Sequence, residues 1–190
     1  MNFHILAFAA LAAAASVASA QSSVTLFGIV DLSVRHTKNG DVGSLDTVTS
    51  GNNATSRWGI RGMEDLGGGN AAQFWLESNL AVDTGASGSS SYVGQLFDRR
   101  ATVGLINQKY GELRLGRDYV PTHVAACGFD VYGCVGVGNA KQFDGNATAA
   151  IFTAFGSTSV NQNTLSRANN SIQYILPEKF FGVSGGLFYS

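Results

Sequence analysis

The fold is written most plainly in Ser23-Val24-Thr25-Leu26-Phe27-Gly28-Ile29-Val30-Asp31-Leu32-Ser33-Val34-Arg35. Every second residue here, Val24, Leu26, Gly28, Val30, Leu32 and Val34, is non-polar. The alternate set, Thr25, Phe27, Ile29, Asp31, Ser33 and Arg35, mixes polar and apolar side chains. Successive side chains of a strand point to opposite sides of the sheet, so this period of two sorts the residues onto two faces. A long strand with one wholly non-polar face suits contact with hydrocarbon on that side and with a polar space on the other.

Outward from this stretch, six further segments of about ten residues alternate in the same way, the signature that transmembrane strands give. Residues 57–64 set Trp58 and Ile60 against Arg57, Gly59, Arg61 and Met63. Residues 71–80 set Ala72, Phe74, Leu76 and Leu80 against Gln73, Trp75, Glu77 and Asn79. The others are 97–106, 112–119, 167–176 and 182–189; in the sixth segment Arg167, Asn169, Ser171 and Gln173 make the polar side. Connections alternate between short (65–70, 107–111, 177–181) and long (36–56, 81–96, 120–166). Short turns at one rim and long loops at the other are the rhythm of outer-membrane barrels, which a soluble sandwich has no reason to keep. Residues 120–166 are too many for a casual connection, and a loop of that length is usually functional or disordered; its apolar patches favour a packed loop.

Composition agrees with a barrel. Beyond the N-terminal segment no stretch approaches the roughly 20 apolar residues of a membrane helix, so an integral protein has to cross with strands. Charged residues make up only 13% of the chain, against roughly a quarter in ordinary soluble domains. The net charge of −1 lacks the basic excess of a general nucleic-acid binder. Residues 1–20 carry an apolar run from Ile5 to Ala15 and end in Ala18-Ser19-Ala20, which reads as a cleaved secretory signal peptide. Export places Cys127 and Cys134 in an oxidising compartment that permits pairing, and both a loop staple and two free thiols fit the sequence. Two cysteines with His36 and His123 scarcely make a four-ligand zinc site, so no metal or other cofactor is expected.

The chain resembles the general porins of Gram-negative outer membranes, particularly the trimeric porins of β-proteobacteria, over nearly the whole of residues 21–190. The resemblance is carried by Ser23-Val24-Thr25-Leu26-Phe27-Gly28, Ser56-Arg57-Trp58-Gly59-Ile60-Arg61-Gly62 and Glu64-Asp65-Leu66-Gly67-Gly68-Gly69. It continues in Phe74-Trp75-Leu76-Glu77, Arg99-Arg100-Ala101-Thr102-Val103-Gly104-Leu105, Gly111-Glu112-Leu113-Arg114-Leu115-Gly116-Arg117-Asp118 and Asn170-Ser171-Ile172-Gln173-Tyr174. It implies an all-β, antiparallel transmembrane barrel of sixteen strands, of which about seven N-terminal ones are present here. It also implies a homotrimer in outer-membrane lipid, passing small hydrophilic solutes and ions. Residues 120–166 take the place of the loop that folds into the lumen as a constriction. Seven strands cannot close such a barrel, so the expectation is a fragment or an interrupted gene product.

By the same resemblance the basic wall of the constriction falls on Arg57, Arg99 and Arg167, with Arg61 and Arg114 nearby, and Asp130 and Asp144 are the acids of the inward loop. Rings of arginine attract anions, and this loop carries too little acid to offset them, so a mild anion preference is expected. The competing role for these arginines is as solvated wall residues, or as salt-bridge partners that merely hold the inward loop in place. Alternation in the fourth segment turns Phe97, Ala101, Val103 and Leu105 outward and Arg100 inward, whereas the family register places Arg99 in the lumen. Arg117 shares a face with Leu113, Leu115 and Tyr119, and either binds a loop from a neighbouring subunit or forms an ion pair within its own, with Asp118 or Glu77 as partner. Trp58, Tyr110, Tyr119, Phe180 and Tyr189 near strand ends fit interfacial girdles. Gly182-Val183-Ser184-Gly185-Gly186 matches the G-x-S-x-G pattern of hydrolases, but the serine sits in a strand with no helix after it, so no enzyme is expected. The alternative from another class is a secreted soluble β-sandwich or adhesin-like protein, which would bury its apolar faces internally.

Overall fold

The structure is a computed structural model that describes residues 23–88, 94–135, 166–177 and 184–190. The expected signal peptide, Asp144 and Phe180 lie outside the described residues. Strands dominate: β1 Ser23–Ile29, β2 Leu32–Lys38, β3 Ser44–Ser50, β4 Arg57–Gly67, β5 Asn70–Ala81, β6 Ala86–Ser87, β7 Arg100–Asn107, β8 Gly111–Tyr119, β9 Arg167–Ile175 and β10 Gly186–Tyr189. Among the described residues an α-helix, α1, spans Pro121–Phe129, and a single 3-10 turn lies at Gly40–Val42.

The strands β1, β4, β5, β7, β8, β9 and β10 form one antiparallel sheet in that order, each beside its neighbour along the chain, with β6 paired to β5. This is the seven-strand meander that the alternating segments call for. Its tight hairpin between β4 and β5 rests on Gly67, Gly68 and Gly69, all at positive φ (78°, 61° and 78°), where a side chain would be strained. The turn from β7 to β8 is held by the Asn107 carboxamide, whose oxygen accepts from the Lys109 and Tyr110 amides at 2.8 and 3.0 Å.

The first long connection differs from a simple loop. The opening segment breaks at Val30 and Asp31, and β2 then pairs with β3 as a separate two-stranded ribbon. Ser56 makes the break: its hydroxyl accepts from the Asp31 amide and donates to the Asp31 carbonyl, both at 2.9 Å. The Asp31 carboxylate in turn accepts from the Asn53 and Ala54 amides.

Burial is inside out. Among the described residues the buried hydrophobic ones are Val120 and Ala168, whereas eleven buried residues are polar or charged, Glu77, Asp98, Arg99, Arg117 and Asp118 among them. Leu26 (73% exposed), Val103, Leu105, Leu113 and Leu115 stand exposed along one face. A soluble sandwich needs the opposite distribution, since exposed apolar area costs about 25 cal/mol per Å² in water. Hydrocarbon on the apolar face removes that cost.

Candidate functional site

The polar side chains gather on the face opposite Val103 and Leu115. Glu77 is the first centre. It lies on β5 between Trp75 and Asn79 on the same side, and its carboxylate accepts from Arg99 Nε and, at 3.1 Å, from Trp75 Nε1. Arg57, the first residue of β4, brings its Nε to 3.9 Å from the same carboxylate. Arg99 also donates to Asn79 Oδ1 at 3.2 Å and to the Tyr119 hydroxyl at 2.9 Å. Arg167 donates to that hydroxyl at 2.6 Å, and its guanidinium carbon lies 4.2 Å from the Tyr119 ring centroid.

A second centre is Asp118. Its Oδ2 meets Arg100 at 3.1 Å and Arg114 at 2.9 Å. Arg114 is also gripped by both oxygens of Glu112, at 2.6 and 2.8 Å, so this guanidinium is neutralised from two sides. Arg61 behaves differently. Its guanidinium lies 5.4 Å from the Phe27 ring centroid and 4.9 Å from that of Trp75, and among the described residues it touches no carboxylate. Arg100 sits 4.7 Å from the same indole, so Trp75 carries two guanidiniums.

The arrangement is electropositive. Four arginines, Arg57, Arg99, Arg100 and Arg114, meet the three carboxylates of Glu77, Glu112 and Asp118, while Arg61 and Arg167 meet none among the described residues, and the Asp98 carboxylate is held by Asn79. Arginine stays charged at every physiological pH, so the excess is permanent. Such a surface attracts and orders anions without any covalent step.

Of the expected wall residues, Arg57, Arg99 and Arg167 meet around Glu77 and Tyr119, while Arg61 and Arg114 occupy the separate settings just described. Asp130 lies at the end of α1, where its carboxylate accepts from the Tyr132 and Cys134 amides at 3.0 and 2.9 Å. Cys127 and Cys134 are disulfide-bonded, with Cα atoms 5.2 Å apart. The conflict between Arg99 and Arg100 dissolves because β7 starts at Arg100: Arg99 precedes the regular ladder, so both side chains reach the same face. Strict alternation required one of them to point away.

The pairing of β8 with β9 is irregular near its end. The β8–β9 register shifts between Gly116 and Asp118, opposite Asn170 at φ 54°. The extra residue lies in β9, and beyond it Tyr119 pairs with Arg167, so its hydroxyl meets the arginines rather than an interfacial girdle. Arg117 is buried within its own chain, donating to the Asp98 carbonyl at 2.7 Å and to Asn169 Oδ1 at 2.8 Å. The roles of Glu77, Asp118 and Tyr119 were missed from sequence. Glu77 was detectable as the one acid on the polar face of the third segment, and Asp118 as an acid four positions after Arg114 on the same side.

Comparison with known proteins places this geometry. The pattern that defines the Gram-negative porins matches residues 7–190. Outer membrane porin protein 32 of Delftia acidovorans is 41% identical across all of this chain and half of its own length. An outer membrane porin protein of Bordetella pertussis is 32% identical across all of this chain and 48% of its own. An anion-selective porin from Comamonas acidovorans superposes with a TM-score of 0.71 at 37% identity, over 90% of this chain and 47% of that one. The chain thus spans about half the length of the curated relatives it matches. With its inside-out meander, its arginine-lined polar face and these relatives, the chain belongs to the Gram-negative porin family of the outer membrane.

Proposed function

We propose that the full-length protein is a passive outer-membrane channel for small hydrophilic solutes and ions, mildly selective for anions, and that it performs no covalent chemistry. The observation that carries this reading is the excess of arginine over carboxylate on the polar face, set around Glu77, Tyr119 and Asp118. A fixed positive wall raises the local concentration of anions and lowers that of cations in a water-filled passage. The anion-selective relative supports the sign. In the same reading Arg57, Arg61, Arg99, Arg114 and Arg167 form the basic wall of the constriction, and the segment that begins with α1 folds inward against them, with Asp130 and Asp144 as its acids. The stacking of His123 from α1 on Tyr119, with centroids 4.9 Å apart and planes 7° from parallel, supports that placement.

A homotrimer embedded in outer-membrane lipid is the assembly we propose, with the apolar face of the sheet meeting lipid or a neighbouring subunit. Reversal potentials of the full-length protein across a potassium chloride gradient test the function. Chloride preference is expected, and a clear cation preference would end the reading.

A further inference from the structure

The Tyr119 hydroxyl occupies an unusual position. It accepts one N–H from Arg99 at 2.9 Å and another from Arg167 at 2.6 Å, which fills both acceptor positions of a phenol oxygen. The two cations it joins differ in their other contacts. Arg99 is anchored to Glu77 and Asn79, whereas Arg167, among the described residues, meets no carboxylate, and its Nε is buried without a partner. The Tyr119 hydroxyl and ring are the contacts that hold the Arg167 guanidinium. The ring also stacks on His123 of α1, the helix that carries Cys127 of the disulfide.

From this geometry we propose that Tyr119 is a positioning residue for ion selectivity: a neutral acceptor that fixes two guanidiniums side by side without cancelling the charge of either, and ties them to the root of the inward segment. A carboxylate at this place would hold the arginines more firmly and remove one positive charge from the wall, as Glu112 and Asp118 do for Arg114. A neutral group of the same reach avoids that loss. The extra residue in β9 is what sets the two side chains together, because an unbroken register would pair Tyr119 with Ala168, whereas here it pairs with Arg167. The inference deepens the channel reading proposed above and rests on it.

The test is a double-variant cycle on the full-length protein in planar bilayers, comparing wild type, Tyr119→Phe, Arg167→Gln and the double variant. Phenylalanine keeps the ring and its stack on His123 while removing the shared acceptor. Tyr119→Phe is expected to lower the chloride-to-potassium permeability ratio about twofold, because Arg167 loses its hydrogen-bonded anchor. In the double variant the ratio should equal that of Arg167→Gln alone, since Tyr119 acts through the arginine. An unchanged ratio in Tyr119→Phe would overturn the proposal, and so would losses that multiply in the double variant. A wild-type preference for potassium would refute the proposed anion selectivity, and the coupling within the cycle would still decide the role of Tyr119.

Discussion

Replacing Glu77 with glutamine separates the structural and electrical roles of the arginine wall. Glu77 is 7% exposed and serves Arg99, Arg57 and Trp75 together. At the 3.9 Å separation from Arg57, a unit charge pair is worth about 4 kcal/mol at an effective dielectric of about 20 and about 1 kcal/mol in water. Glutamine keeps an acceptor for one N–H, so the expected cost is about 2–4 kcal/mol of stability, near the lower part of the range for breaking a buried pair. The electrical effect has the opposite sense, because the wall gains one uncompensated positive charge. A charge about 8 Å from a passing ion in water contributes about 0.5 kcal/mol, with opposite signs for anions and cations. The differential of about 1 kcal/mol raises the chloride-to-potassium ratio about fivefold at low salt, shrinking to about twofold when the separation equals one Debye length. Glu77→Gln in the full-length protein should therefore melt earlier and prefer chloride more strongly in bilayer recordings. A less stable protein with unchanged selectivity, or one shifted toward potassium, would refute the claim that this face lines the conduction path.

Other substitutions probe separate parts of the fold. Val103→Arg places a charge on the exposed apolar face, 56% accessible in this chain, and should cost about 2–4 kcal/mol near the bilayer midplane and less toward its edges, measured by denaturant titration in lipid. Gly116→Ala adds a Cβ only 2.1 Å from the Ala101 carbonyl oxygen at φ 125°, so β8 must move; a cost of about 1–3 kcal/mol and a disturbed Tyr119 contact are expected, read by thermal melting. Reduction of Cys127–Cys134, which closes a loop of sequence separation 7, should release about 2 kcal/mol of local constraint in the chain-entropy account. Alkylation followed by mass measurement should find neither cysteine modified before reduction and both modified after it.

Much of this was legible in the residues themselves. Alternation in Ser23–Ile29, Arg57–Gly67 and Gly111–Tyr119 identifies strands because a period of two is imposed by strand geometry alone, and the polar faces of β4 and β5 follow from it. What alternation cannot register is a single residue out of step. Arg99 and Arg100 share a face because the ladder starts between them, and an extra residue in β9 sets Arg167 opposite Tyr119. Both irregularities depend on cross-strand hydrogen bonding and leave no periodic trace. The ribbon of β2 and β3 was hidden for a related reason. Leu32 and Val34 of β2 continue the apolar face of the opening segment, and Leu45 and Val48 of β3 fall on opposite faces, so no second alternating strand stands out. The arginines were visible as residue types, but their division into neutralised and uncompensated ones depends on distances to Glu77, Glu112 and Asp118.

The central claim is that one face of this sheet meets hydrocarbon and the other meets water. Spin labels placed singly at Val103, Leu105, Leu113 and Leu115, and at Gln73 and Gln173, in the full-length protein reconstituted into lipid test it most directly. Collisions with dissolved oxygen should dominate at the first four positions, and collisions with a water-soluble nickel chelate at the two glutamine positions. The reverse pattern, or equal access to the chelate at all six, would contradict the account.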